Sequence, residues 1–391
     1  MKEGKETFYS VFKKQLSQIF SDFGILFIII GASIVYPILY GWVYHKEVVK
    51  EVPIAIVDQD GSAFSRQLAR SMDATEEIHV AYRCVDFAQA KDLLLSGKAR
   101  GMVVFPKELE KHLLRSEKAS VSIFADASYF LYYKQVVTGV NYVVGTMNAK
   151  IRVKKQLMHG KMMDDAVDKA MNIKFQSRPL FNRSGGYASY LMPAVLILIL
   201  HQTLLMGMGL FAGTEYAEGK SWFLKPGVEV KDIIIQLLGR GSAYFVLYIP
   251  IVIHLLINSF WFLGYPAWAN ITDLLLFAFP FLLSTICFAQ FLSTFFKERT
   301  SSMIFLLFTS IPLLFLSGIS WPYQCMPAFW KHIGSFIPCT QAIIGLYKMQ
   351  IMESGLLVCK EQWLHLWQLA ALFFCLTLFR MMQVRRKSDI N

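Results

Sequence analysis

Apolar residues are distributed along this chain in one isolated segment, then a long polar stretch, then a C-terminal half that is mostly apolar. About 20 consecutive apolar residues are needed to cross the hydrocarbon core of a bilayer. The segments of this length are 23–44, 187–213, 233–262, 272–296, 301–319 and 361–380. Because backbone groups in lipid must bond within their own segment, the pattern predicts six membrane-spanning helices.

Composition agrees with a membrane protein, since 55% of the 391 residues are hydrophobic and only 17% are charged. The net charge of +11 would suggest a nucleic-acid partner in a soluble protein, but the basic residues cluster at span ends on one side. They are Lys2, Lys5, Lys13, Lys14, Lys220, Lys225, Lys231, Lys297, Arg299, Arg380, Arg385, Arg386 and Lys387. The positive-inside rule therefore places both termini in the cytoplasm and residues 45–186 outside. The net charge is explained by this topology, and no nucleic-acid partner is expected.

The two cytoplasmic ends differ in character. Residues 1–22 include Phe8, Phe12, Leu16 and Ile19 at helical spacing, with lysines on another face. This pattern favours an amphipathic helix in the membrane interface, and the alternative is a plain extension of the first span, 23–44. Residues 381–391 form a basic tail.

Residues 45–186 alternate between two kinds of segment. Strands rich in β-branched residues are predicted at 51–58, 77–85, 101–105 and 119–126. Helices are predicted at 61–74, 87–99 and 107–118, with Ser62 and Pro106 as start signals and Gly97 as a stop. A long helix at 129–171, with breaks expected at Gly139, Gly145 and Gly160, precedes a strand-like segment at 173–182. We therefore expect a six-span α-helical polytopic membrane protein with an inserted α/β extracytoplasmic domain.

Two strings resemble catalytic or nucleotide-binding motifs. The string IAIVDQDGS (54–62) is similar to a phosphoaspartyl nucleophile site, in which Asp58 would attack and Asp60 would be the acid. A strand-to-helix turn, relaxed at Gly61 and capped by Ser62 or Asp60, is the simpler interpretation. GTEYAEGKS (213–221) has five residues between its glycines instead of four and follows a span, so it is not a P-loop.

Ion-driven carriers place ionisable groups within the membrane. No carboxylate lies in the middle of a predicted span, and the deep polar residues are His201, Gln202 and His254. Energy is therefore expected to come from outside the bilayer, and an ion-coupled secondary carrier is the alternative.

The C-terminal half also contains a segment, 320–349, that is too apolar for a free loop and is interrupted by Pro322, Pro327 and Pro338. The prolines break helices, so short re-entrant helices at the outer leaflet are predicted. A disulfide among Cys325, Cys339 and Cys359 is possible on that side.

Four strings in this order resemble the membrane subunit of ABC exporters of the type-2 permease family, in the subgroup with a large outer domain. They are VPIAIVDQDGSAFSRQL (52–68), GKARGMVVFPKELEKHLLRSEKASVSIFADAS (97–128), FNRSGGYASYLMPAVL (181–196) and SGISWPYQCMPAFWKHIGSFIPCTQAIIGLYKM (317–349). The resemblance implies a transport subunit without its own nucleotide site. Its partners would be cytoplasmic ATPase subunits that bind ATP and Mg²⁺, together with a second permease copy or a paralogue.

The resemblance also implies that the loop after the second span packs on the ATPase, although relatives carry a denser run of charges there. The contact candidates are Glu215, Glu218, Gly219, Lys220 and Lys225, and a solvated loop is the alternative.

The expected function is export of an apolar or amphipathic substrate from a bacterial inner membrane, with a periplasmic membrane-fusion adaptor as a possible partner. Candidate substrate-path residues, which packing alone would also explain, are Tyr190, Met192, His201, Gln202, Met206, Phe305 and Phe308. The alternatives are the ion-coupled carrier and a membrane-anchored phosphatase or receptor that uses Asp58.

Overall fold

The computed structural model describes residues 7–115, 117–158, 162–163, 180–182, 185–221 and 229–388. It divides into two compact units. The helical unit comprises Met1–Glu47 and Pro179–Asn391, and the sheet unit comprises Val48–Arg178. The sheet unit falls within the predicted insert, 45–186, and its position outside the membrane stays a prediction.

The helices and strands of the described residues are, in chain order, α1 (Phe8–Ser21), α2 (Phe23–Val43), β1 (Val52–Asp58), α3 (Ala63–Asp73), β2 (Ile78–Cys84), α4 (Phe87–Leu95), β3 (Gly101–Phe105), α5 (Leu109–Leu114), β4 (Ser122–Ala125), α6 (Phe130–Met158), α7 (Tyr187–Ala217), α8 (Val230–Leu263), α9 (Ile271–Ser293), α10 (Arg299–Leu316), α11 (Ala328–Ser335), α12 (Pro338–Gln350) and α13 (Lys360–Ser388). Helices α2 and α8 each contain a π-helical turn, at Phe27–Gly31 and His254–Asn258.

Six of these helices are long and apolar enough to cross a membrane, which confirms the predicted number. They are α2, α7, α8, α9, α10 and the segment Leu356–Arg385 that contains most of α13. Helix α7 lies at the centre of the bundle, because 78% of its most apolar stretch is buried against 12% for α10.

Helix α1 packs on α8 through Val11, Gln15 and Ile19, which are spaced one turn apart and are buried. A Cβ at Gly239 of α8 would lie 2.8 Å from Cγ1 of Val11, so the two helices approach closely. Of the predicted apolar face, Ile19 packs on α8 and Phe8 is 46% exposed, so that face stays a prediction. The side of α1 that is buried is the one that packs on α8. The location of α1 in the membrane interface stays a prediction.

The ends of α2 and α7 that adjoin the sheet unit are tied to each other. The backbone carbonyl of Glu47 accepts a 2.8 Å hydrogen bond from the N–H of Tyr187. Its carboxylate accepts from the hydroxyl and the N–H of Ser189 at 2.7 and 3.2 Å. Glu47 thus caps α7, whose first N–H groups would otherwise lack partners.

The segment 320–349 forms a 3₁₀ turn at Tyr323–Cys325 followed by α11 and α12. Helix α12 buries 10 of its 13 residues, and its Gly345 lies directly against the ring of Phe277. All six cysteines are free thiols, so no disulfide joins Cys325, Cys339 or Cys359. Short helices are confirmed, and their depth in a bilayer stays a prediction.

The sheet unit is a four-stranded sheet in the order β2-β1-β3-β4. Strand β1 is parallel to both β2 and β3, and β4 is antiparallel to β3. Ile54, Ala55, Ile56 and Val57 are all buried because helices cover both faces, with α3, α5 and α6 on one and α4 on the other. All four predicted strands are confirmed.

The predicted helices of this unit are confirmed in type but corrected in length. Helix α3 begins after Ser62, whose hydroxyl accepts from the N–H of Ser65, and α4 ends before Gly97, where φ is +70°. Helix α5 is much shorter than 107–118, because Glu108 adopts a left-handed conformation and the helix starts only at Leu109.

Helix α6 runs unbroken through Gly139 and Gly145, so the predicted breaks there are wrong. Gly139 is needed for packing, because a Cβ would lie 3.1 Å from side-chain atoms of Glu77 and Ile78. The remainder of the predicted helix, with Gly160, and most of the strand-like segment 173–182 lie outside the described residues.

Helices α7 and α10 approach most closely at Gly213. A Cβ at this position would lie 2.5 Å from the backbone oxygen of Glu298 and 2.9 Å from the N–H nitrogen of Arg299. Backbone atoms cannot rotate away as a side chain can, so the contact requires glycine.

We expect Gly213→Ala to destabilise the protein by about 1–3 kcal/mol, because α10 must move to accept the methyl group. The measurement is the unfolding midpoint in detergent. Gly145→Ala is the matched control, since Gly145 is also helical but has no atom within 4 Å of the position that a Cβ would take. Equal midpoints for the two variants would contradict the close approach.

Candidate functional site

The end of the helical unit that contains α1 has an ion pair between Asp22 and Arg299. The two guanidinium nitrogens donate to the two carboxylate oxygens at 2.6 and 2.9 Å. The Arg299 hydrogen bond holds the pKa of Asp22 below its ordinary value, so the carboxylate is ionised at neutral pH. Two parallel charge-assisted bonds give this pair directional strength that a single contact lacks.

The position of Asp22 follows from its role as the N-cap of α2. Its Oδ1 also accepts a 3.1 Å hydrogen bond from the N–H of Ile25. Arg299 stands at the first position of α10 and makes a further 3.2 Å bond to Oγ1 of Thr214, near the end of α7. One guanidinium therefore connects α2, α7 and α10.

A second bidentate pair involves Glu215, which follows the Arg299 contact Thr214 in the chain. Arg240 of α8 donates to the two carboxylate oxygens of Glu215 at 2.6 and 3.0 Å. Its Nε donates to Gln236 at 3.0 Å, and its guanidinium lies 5.6 Å from the ring centroid of Phe211. The side chains of Arg240 and Glu215 are only 15% and 14% exposed, so this pair is the better shielded of the two.

A small cavity of about 50 Å³ adjoins the Glu215–Arg240 pair. It has the size to hold a few water molecules. Within the described part of the chain, the side-chain nitrogen of Gln15 and the hydroxyl of Ser293, both in its wall, have no hydrogen-bond partner. Helices α1 and α9 therefore both line the cavity beside the Glu215–Arg240 pair.

Thr214 and Glu215 are consecutive, so the last turn of α7 contacts both arginines. Any displacement of this turn must break or carry with it polar contacts to α2, α8 and α10. The arrangement can transmit movement between helices, and it has no feature of a catalytic centre. Among the described residues no cluster of His, Cys, Asp and Glu has the makings of a metal site.

The predicted ATPase contacts fall into three groups. Glu215 faces inward toward Arg240 and is not on the loop surface. Glu218 and Lys220 are exposed and form a 2.7 Å pair around Gly219, where φ is +67°. Lys225 lies outside the described residues.

The predicted substrate-path residues do not form one surface. Met192 and His201 are fully buried in α7, whereas Gln202 and Met206 are half-buried one turn apart. The hydroxyl of Tyr190 donates to the carbonyl of Ile319 at 2.5 Å. Phe305 and Phe308 are exposed on α10.

Sequence reasoning placed Arg299 only near a span end, and it paired neither Asp22 nor Arg240 with a partner. The available signal was a charge at the end of an apolar run or, for Arg240, within one, where an unpaired charge is costly. The partners are 277 and 25 residues apart, so pattern alone did not pair them.

Asp58 has a structural role in the turn after β1. Its Oδ1 accepts from the N–H groups of Asp60 and Gly61 at 3.1 and 2.9 Å, and its Oδ2 accepts from the hydroxyl of Ser65 at 2.7 Å. Asp60 accepts from the N–H of Glu110 at 3.2 Å. The turn interpretation is confirmed, and a carboxylate held by three donors is a poor nucleophile.

A comparison with known families bears on this arrangement. Residues 23–379 match the sequence profile described as ABC-2 family transporter protein. The chain belongs to the ABC-2 family. No curated protein matches it. As an ABC-2 family member it is a multi-pass membrane protein and a permease subunit of an ABC transporter, and the family implies cooperation with ABC ATPase partners.

In this ABC-2 permease, we expect Asp22→Asn and Arg299→Gln each to lower stability by about 1–2 kcal/mol, and the double variant to lose less than their sum. Unfolding at several pH values gives the measurement. Because the pKa of Asp22 is depressed, its contribution is present at neutral pH and is lost as pH falls below about 4. Glu218→Gln, at an exposed pair, is the control. Strict additivity would show that the two side chains do not interact.

Proposed function

We propose that this ABC-2 permease exports an apolar or amphipathic substrate, driven by ATP that separate subunits bind with Mg²⁺ and hydrolyse. The observation that supports this most is the last turn of α7. It is joined by Arg240 and Arg299 to three other spans, and the exposed Glu218–Gly219–Lys220 turn follows it directly. An ATPase that contacts this turn would act on all four helices at once.

The proposal places this end of the helical unit in the cytoplasm of a bacterial cell, with the sheet unit in the periplasm. Basic residues at the same ends of the spans support this orientation. ATP binding would shift the turn, and the arginine pairs would carry the displacement to α2, α8 and α10. An ATPase can bias such a change only if it binds the two arrangements with different affinity.

The substrate path is proposed along α7, near His201 and Gln202. Neither ring nitrogen of His201 and neither amide atom of Gln202 has a hydrogen-bond partner among the described residues. An unpaired buried polar group costs about 1–3 kcal/mol, so a state or a substrate that supplies partners would be stabilised. Met206, one turn from Gln202, extends this path, whereas Tyr190 and Met192 do not share its surface.

A second permease copy, or a paralogue, is proposed to cover α10. This helix exposes Phe305, Leu307, Phe308, Ile311 and Phe315 while it packs on α7. Two facing copies would bring the α7 paths together beside these aromatic side chains. A periplasmic adaptor would then receive the substrate at the outer end.

The main test is reconstitution in vesicles with the partner ATPase. We expect transport of a fluorescent amphipathic dye to require ATP, to stop when the ATPase cannot hydrolyse it, and to survive collapse of the proton gradient. Transport by the permease alone under an ion gradient would instead establish the secondary carrier.

A second prediction concerns the exposed turn. We expect Lys220→Glu to lower affinity for the ATPase by about tenfold or more, because charge reversal puts like charges together across a contact. Its effect on stability should stay within about 0.5 kcal/mol, since the residue is exposed. Lys91→Glu, on an exposed face of α4, is the matched charge reversal. Equal ATPase affinity for both variants would remove this turn from the interface.

A further inference from the structure

The sheet unit has a groove at the carboxyl ends of β1 and β3. The groove has a volume of about 610 Å³ and is formed by the turn after β1 and the segment from Lys107 to Arg115. This volume is in the range of small-molecule binding sites. Neither the transport mechanism nor the family assignment uses this feature.

The groove lies where the direction of chain connection reverses. From β1 the chain passes through α3 to β2 on one side, whereas from β3 it passes through α5 to β4 on the other.

The walls of the groove are fixed to each other by hydrogen bonds. Asp60 in the turn after β1 accepts from the N–H of Glu110 in α5. Gln59 donates its N–H to the carbonyl of Phe105 at 3.1 Å. The two walls therefore keep their separation without a ligand, which lowers the entropy cost of binding one.

The groove is lined by three basic side chains, Lys107, Lys111 and Arg115, and by three acidic ones, Asp60, Glu108 and Glu110. Glu108 pairs with Lys111 at 2.8 Å. Within residues 7–115 and 117–158, the side chains of Lys107, Glu110 and Arg115 make no hydrogen bond or ion pair. Lys111 and Arg115 are one helical turn apart, whereas Glu110 is in the adjacent row and its N–H contacts Asp60.

We propose that this groove binds a zwitterionic small molecule, with its anionic group at Lys107 and Arg115 and its ammonium group at Glu110 and Asp60. A simple anion would also meet the carboxylates of Asp60 and Glu110, and a simple cation would also meet Lys107 and Arg115. Gln59 and Ser62 provide neutral hydrogen-bonding groups between the two ends, and Leu114 provides one apolar contact. Phosphoethanolamine-type head groups and free amino acids share this chemistry.

The test uses the full chain in a maltoside detergent, which has no charged head group. The probes are glycerophosphoethanolamine, glycerol phosphate and ethanolamine, with glycine to represent amino acids. Calorimetry gives affinities, and hydrogen–deuterium exchange locates protection. We expect a zwitterion to bind about fivefold or more tightly than glycerol phosphate or ethanolamine, with protection at 59–65 and 107–115. Binding of glycerophosphoethanolamine would indicate a lipid head group as the ligand, and binding of glycine would indicate an amino acid.

Two variants give opposite results if the assignment is correct. Glu110→Gln should weaken binding of the zwitterion but strengthen binding of glycerol phosphate, because it removes a repulsive charge. Lys107→Gln combined with Arg115→Gln should weaken both. The matched controls, Lys91→Gln and Asp92→Asn, are exposed on α4 and should change neither.

This inference concerns binding alone and does not depend on ATP-driven export, so the failure of one leaves the other standing. Glycerol phosphate binding that equals zwitterion binding and ignores Glu110→Gln would show a simple anion site and overturn the proposal. So would unchanged affinity in all the groove variants, or no binding of either zwitterion.

Discussion

Lipid offers no hydrogen bonds to a protein, and this constraint determines how the charged ends of the spans are arranged. Asp22 and Arg299, and Glu215 and Arg240, satisfy each other with two bonds per pair. Both pairs touch the last turn of α7, the most buried of the spans. The need to pair charges thus gathers contacts from α2, α8 and α10 at one end of α7.

Close packing extends the same arrangement. Gly213 lets α10 approach α7 at the level of the arginines, and Gly239 lets α1 approach α8. Helices that touch through backbone atoms and small residues cannot slide past each other without breaking specific contacts. Long side chains between them could change rotamer and so accommodate a small shift. A push on the exposed turn at 218–220 would therefore reach several spans together.

Much of the architecture could be predicted from the sequence, because its signals are local. Runs of about 20 apolar residues marked the six helices, and β-branched segments marked the four strands. Ser62 and Gly97 marked helix ends through capping and a left-handed backbone. Features set by partners distant in the chain were not predictable. The buried stripe of α1 depends on α8, and the inward direction of Glu215 depends on Arg240.

The cap that Glu47 places on α7 has a consequence for how such proteins diversify. The two points where the chain leaves and re-enters the helical unit are held together by contacts that belong to that unit alone. These contacts join the end of α2 to the start of α7 without using any residue of the sheet unit. We therefore expect the helical unit to tolerate an intervening module that is lengthened, exchanged for another fold, or removed in a chimera.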